Sequence, residues 1–129
     1  MAQSDQQELL QAPSPEYLQQ LLDAKSHNKS IDKLMMLFGD KYSFYIVDLL
    51  ANNGAMRFVA LEAQIAGISP RTLSQRLKHL EQFGLITRRQ YATIPPRVDY
   101  ELTEKAMSLK PMLEELKAWV ETWFPNVAE

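Results

Sequence analysis

A chain of 129 residues, 46% hydrophobic and 23% charged, is sized for one domain with its own core. It has no apolar run long enough to span a bilayer, and its lack of cysteine excludes disulfides, thiolate metal sites and thiol redox chemistry. The formal net charge is -2, but between Arg57 and Arg97 seven Lys/Arg face only two acids, so that window carries +5 and the remainder -7. A basic block inside an acidic chain is the footprint expected of a polyanion-binding face. The first residues, MAQSDQQELLQAPSPEY, are polar and acidic, unlike a signal or transit peptide, which gives a cytoplasmic expectation with no membrane partner.

In chain order, residues 1 to about 14 lack apolar periodicity and are expected to form a mobile tail. From Pro15 to about Lys25, Tyr17, Leu18, Leu21 and Leu22 recur at helical spacing, which predicts a helical extension over 15–28 that breaks at SHNKS. Ser30 is placed to cap a short helix, IDKLMMLF, ending at Gly39. Asp40 is placed to cap KYSFYIVDLLANN, which is apolar on most sides and therefore reads as the central core helix. AMRF can pair as a short strand, and Phe58 to Ile65 reads as a two-turn helix.

Ser69 is a strong N-cap candidate with Pro70 at N1, and Gly84 is a C-terminal stop, so a helix is predicted over 69–83. LITRRQY and RVDYELT read as strands joined by the proline-rich tip ATIPP, a hairpin over 86–102. Thr103 can cap a last helix running to Phe124, which Pro111 should kink or divide near Met107. The fold class is thus mainly α with a small β-hairpin, the plan of a winged helix–turn–helix, with one domain over 29–125.

With Leu73, Leu77 and Leu80 facing inward, Arg71, Gln75, Lys78 and Gln82 point the opposite way. Arg and Gln can make bidentate contacts to guanine and adenine edges, so Arg71, Thr72 and Gln75 are the expected base readers. Ser69, Ser74, Arg76 and Lys78 are expected on phosphates, with Arg88, Arg89 and Arg97 on the wing. Arg88 and Arg89 are adjacent on a strand and should face opposite ways. His79 is expected to meet phosphate or solvent. With His27 as the second of only two histidines, no metal site is expected, and no cofactor motif or acid–base pair indicates an enzyme. Leu109, Met112, Leu113, Leu116, Trp119, Val120 and Trp123 offer more apolar surface than a small domain covers, which predicts a dimer interface. An aromatic cluster including Trp119, Trp123, Tyr42 and Tyr45 is expected in packing rather than in an effector pocket, though a small-molecule effector is a conceivable partner.

GISPRTLSQRLKHLEQFGLITRR followed by YATIPPRVDYELTEKAMSL resembles the signature of the HxlR-type winged helix regulators of the MarR-like group, over roughly Ile31 to Phe124. FGDKYSFYIVDLL, MRFVALEAQI and LKPMLEELKAWVE fit the same pattern. The resemblance implies a homodimeric transcriptional regulator of double-stranded DNA with a pseudo-palindromic operator. A repressor is the expected direction, and the helix from Ser69 is then the recognition helix, with terminal helices building the dimer. The other reading is a winged helix that binds protein and not specific DNA. Three features depart from the pattern. Gly39, Asp40, Lys41 and Tyr42 stand where two glycines, Lys and Trp are usual; Lys29 lies near the usual sensing cysteine; and residues 1–28 extend beyond the usual start.

Overall fold

The computed structural model describes residues 14–25 and 29–127. Apart from Ser14, the expected tail lies outside these residues, as do His27 and the rest of 26–28. The elements in order are α1 (Pro15–Lys25), α2 (Lys29–Phe38), α3 (Ser43–Asn53), β1 (Met56–Arg57), α4 (Phe58–Gln64), α5 (Pro70–Gln82), β2 (Ile86–Tyr91), β3 (Arg97–Leu102), α6 (Glu104–Met107) and α7 (Lys110–Trp123). The strands form one antiparallel sheet in the order β1-β3-β2, so the short AMRF stretch does pair, with Met56 opposite Tyr100 and Arg57 opposite Asp99.

One core holds these elements together. Ile46, Val47 and Leu50 of α3, Leu61 of α4, Leu73, Leu77 and Leu80 of α5 and Ile86 of β2 are all buried. Helix α3 is central as expected, although Tyr45 lies on an exposed side of it. It starts where Asp40 offers its carboxylate: Oδ2 accepts from the Tyr42 and Ser43 N–H groups at 2.9 and 2.8 Å, and Oδ1 from the Ser43 hydroxyl at 2.5 Å. These bonds satisfy donors that a helix start leaves orphaned, and they let Ser43 be fully buried. Ser30, by contrast, does not cap α2. The helix already includes Lys29 and runs through it.

Helix α5 ends as Gly84 requires. Gly84 has φ 72°, its N–H donates to the Glu81 carbonyl at 3.0 Å, and the Leu85 N–H donates to the Leu80 carbonyl at 2.9 Å. This is a Schellman exit, closed by the buried pair Leu80 and Leu85. Thr103 then joins both ends of the wing. Its N–H donates to the Leu85 carbonyl at 3.0 Å, and its hydroxyl donates to the Gly84 carbonyl at 2.7 Å while accepting from the Ala106 N–H at 3.3 Å to cap α6.

The last helix is divided, as the proline suggested: α6 stops at Met107, and α7 begins at Lys110 with Pro111 in its first turn. Leu113 is buried and Leu109, partly buried, packs against the core, so both contribute to the chain's own interior. The reason is the seat of α7 on α3. Lys110 Nζ donates to the Ala51 carbonyl at 3.3 Å, and Lys117 Nζ lies 2.7 Å from Asp48 Oδ1.

Two substitutions test this frame. Leu77→Ala should cost about 2–5 kcal/mol through the cavity it leaves. Gly84→Ala should cost about 1 kcal/mol, because a Cβ would meet nothing closer than Lys105 Nζ at 3.6 Å and only the positive φ is penalised. Urea denaturation of both variants measures the difference; an equal loss in the two would contradict it.

Candidate nucleic-acid interface

The site is built on α5 and the hairpin that follows. Helix α4 and α5 are joined by residues 65–69, where Gly67 turns the chain at φ 78° and Ser69 takes an extended backbone before α5. The Ser69 hydroxyl oxygen accepts from the Thr72 N–H at 3.1 Å and its O–H donates to the Thr72 hydroxyl oxygen at 2.9 Å, with Pro70 at N1. The N-terminal turn, the part of such a helix that meets bases, is therefore fixed by a full cap.

Burial sets the rotation of α5. Leu73, Leu77 and Leu80 face the core, and Arg71, Ser74 and Lys78 are exposed together on the opposite side. Gln75 and Thr72 lie half-buried at the edges of that face. Ser74 is exposed beside Lys78 and Arg71, on the side of that face nearer Leu77.

Two residues of α5 turn elsewhere. His79 is not on the surface as expected but 5% exposed, with Nε2 3.2 Å from the Leu37 carbonyl and its ring 5.1 Å from that of Phe83. A carbonyl only accepts, so Nε2 carries the proton in the neutral ring. Burial, reinforced by the nearby Arg76 charge, holds the His79 pKa below its ordinary value of 6.5. Arg76 is only 21% exposed and lies 3.5 Å from Asp40, directed at the start of α3 and not free at the surface. At Asp40 burial pushes the carboxyl up, but the hydrogen bonds from Ser43 and Tyr42 and the Arg76 charge outweigh it and leave the pKa below 3.8.

In the wing, register puts Arg57, Arg89, Arg97, Asp99, Glu101 and Tyr91 on one face, because Arg57 and Arg89 both stand opposite Asp99 and Tyr91 opposite Arg97. Asp99 is buried and receives two hydrogen bonds from Arg97, at 3.0 and 2.9 Å. These bonds hold its carboxyl below the usual range. Arg97 also lies over the Tyr91 ring, 5.3 Å from its centre. Arg89 pairs with Glu101. Arg88 lies on the other face, as alternation requires, and reaches Gln90. Sequence reasoning missed the organising acids Asp99 and Glu101. The two-residue alternation RVDYE could have placed them beside Arg97. Among the described residues no group of His, Asp or Glu is arranged to hold a metal ion, and no helix is long and apolar enough to cross a membrane.

A capped second helix with an outward basic face, followed at once by an arginine-bearing hairpin, defines a winged helix–turn–helix DNA-binding protein. The profile of the HxlR-like helix-turn-helix family matches residues 37–128. An HTH-type transcriptional regulator of Halalkalibacterium halodurans is 46% identical over 85 residues, covering 66% of this chain and 75% of that protein. The regulatory protein MalR of Fusobacterium mortiferum is 33% identical over 102 residues, covering 77% and 96%. Among solved structures, a MarR-family transcriptional regulator from Porphyromonas gingivalis W83 superposes with a TM-score of 0.68 at 31% identity, covering 78% of this chain and 96% of that one. The reduced form of the transcriptional regulator YodB from B. subtilis gives 0.66 at 29%, covering 77% and 96%. The chain belongs to the HxlR-like helix-turn-helix family of transcriptional regulators.

The His79 environment has a pH consequence. The unfolded chain takes up a proton near pH 6.5 and the folded chain resists it, so stability is complete above pH 6.5 and falls as pH drops from there toward the folded pKa. The Asp40 contribution is lost only on further acidification, through a pKa below 3.8. His79→Gln keeps an N–H donor for Leu37 but removes the titration, so its urea midpoint should decline less between pH 7.5 and 5.5. An unchanged slope would exclude His79 as its source.

Proposed function

We propose that this regulator binds a pseudo-palindromic operator in double-stranded DNA as a homodimer and represses transcription, with α5 as the recognition helix in the major groove and the 86–102 hairpin on the flanking backbone. The observation that carries it is the single outward face of α5, where Arg71, Ser74 and Lys78 are exposed over a fully buried leucine stripe. Arg71, Thr72 and Gln75 read bases, and Ser69, Ser74 and Lys78 hold phosphates. Arg88, Arg89 and Arg97 serve the wing, the latter two oriented by Glu101 and Asp99. Arg76 acts by fixing α5 to Asp40.

The dimer reading rests on the outer side of α7. Met112, Leu116, Trp119, Val120 and Trp123 are between 41% and 68% exposed, an apolar stripe too large to leave in water. Ile31, Leu34 and Met35 of α2 form a second exposed apolar row. Two-fold pairing through these helices would place two recognition helices about 34 Å apart, one turn of DNA. The domain engaged in this role spans 29–125, with 15–28 as an appended extension.

Arg71→Ala and Gln75→Ala should each cost about 1–3 kcal/mol of operator affinity and relax specificity, while Lys78→Ala should weaken binding to every sequence and reduce the salt slope by about 1. Gel-shift titration against a duplex recovered by in vitro selection reads both effects; full affinity in Arg71→Ala would refute the assigned face. Trp123→Asp should shift the sedimentation equilibrium from dimer to monomer without unfolding the chain. A monomeric wild type would sink the dimer.

A further inference from the structure

A cavity of about 260 Å3 opens between α1, α2 and the end of α5. Its apolar wall is Leu18, Met36, Leu37 and Phe83, with Pro15 at one side and Gln19 and Lys33 at the polar rim. Most of this lining precedes residue 37, where the family match begins, so the cavity is a property of this chain's own N-terminal part.

We propose that the cavity is a binding site for a small carboxylate with an apolar body. Its volume falls just below the range of drug-sized sites, which suits one compact molecule and not a nucleotide. The wall offers hydrocarbon and one aromatic ring, while Lys33, exposed and in no ion pair among the described residues, supplies a cation at the mouth. An apolar body with a single anionic head meets both demands, whereas an amine would meet Lys33 with like charge. Lys33, Met36 and Leu37 lie on the side of α2 away from Ile31, Leu34 and Met35, so the cavity stays open in the proposed dimer.

The site touches the recognition helix. Phe83 is the C-cap of α5, its ring packs on His79, and His79 is bound to the carbonyl of Leu37, itself a wall residue. An occupant therefore contacts both partners of His79. A role as effector rests on the regulator reading above, because only then does movement at the end of α5 alter DNA binding.

Octanoate is a suitable probe, with octylamine as the charge control, on the full-length protein and without DNA, so the result does not depend on the operator reading. Calorimetric titration should show saturable one-site binding of octanoate and much weaker binding of octylamine. Lys33→Gln should weaken octanoate roughly fivefold, in keeping with an exposed ion pair. Met36→Trp, at a wall position that is partly open to solvent, should fill the cavity and abolish binding while circular dichroism stays native. Octanoate should also shift the His79 ring resonances in NMR spectra of the wild type and not of Met36→Trp. Absence of saturable binding, wild-type affinity in a folded Met36→Trp, equal affinity for octylamine, or binding without a His79 shift would each overturn the proposal.

Discussion

Every functional side chain of α5 takes its direction from the burial of Leu73, Leu77 and Leu80. A helix advances about 100° per residue, so once that stripe is against the core the outward positions have no freedom left. Two further restraints act at the borders of the stripe. His79 is bound to Leu37 and Arg76 is directed at Asp40, and both anchors lie on the α2–α3 segment. A hydrophobic stripe alone tolerates some rolling. Two polar contacts on one border do not, because each depends on a fixed position of its partner.

The same economy governs the wing. The Schellman exit at Gly84 releases the chain from α5 in one direction only, and Thr103 returns it to the same point nineteen residues later by bonding both Gly84 and Leu85. Helix α5 and the hairpin are thus joined at their bases as one unit. A displacement of α5 carries the wing with it, which matters for any signal arriving at Phe83.

How much of this could be read from residues alone follows from the range of the forces. Local chemistry was readable: Ser69-Pro70 as a cap, Gly84 as a stop, Pro111 as the break between α6 and α7, and the 4-3 leucine rhythm of α5. Errors arose where a position lies at a border and its neighbour comes from afar in sequence. His79 sits beside the buried stripe, and whether that side meets solvent or protein depends on α2, forty-two residues away. Leu113 follows the same rhythm as Leu116 and Val120, yet only Leu113 faces α3, a distinction that periodicity cannot draw. Ser30 could cap a helix equally well by its chemistry; the helix actually formed begins at Lys29, two residues before Ile31.

Charge shows the clearest gap between counting and placement. The basic window is not uniformly available to a polyanion. Among the described residues no acid pairs with Arg71, Lys78 or Arg88, whereas Arg89 and Arg97 are held by Glu101 and Asp99 and Arg76 by Asp40. The unpaired cations break no ion pair when they meet phosphate, so in the proposed reading Arg71 and Lys78 of α5, with Arg88, carry most of the attraction for DNA. Arg89 and Arg97 must share themselves with a carboxylate, and for Arg97 that carboxylate is buried. Their net attraction is smaller but their geometry is set in advance, with less side-chain entropy to lose on contact. In the proposed reading the helix supplies affinity and base readout, while the wing rewards only a backbone that passes where its arginines already point. The acids that a charge count would score against DNA binding are then part of how the wing recognises its place on the duplex.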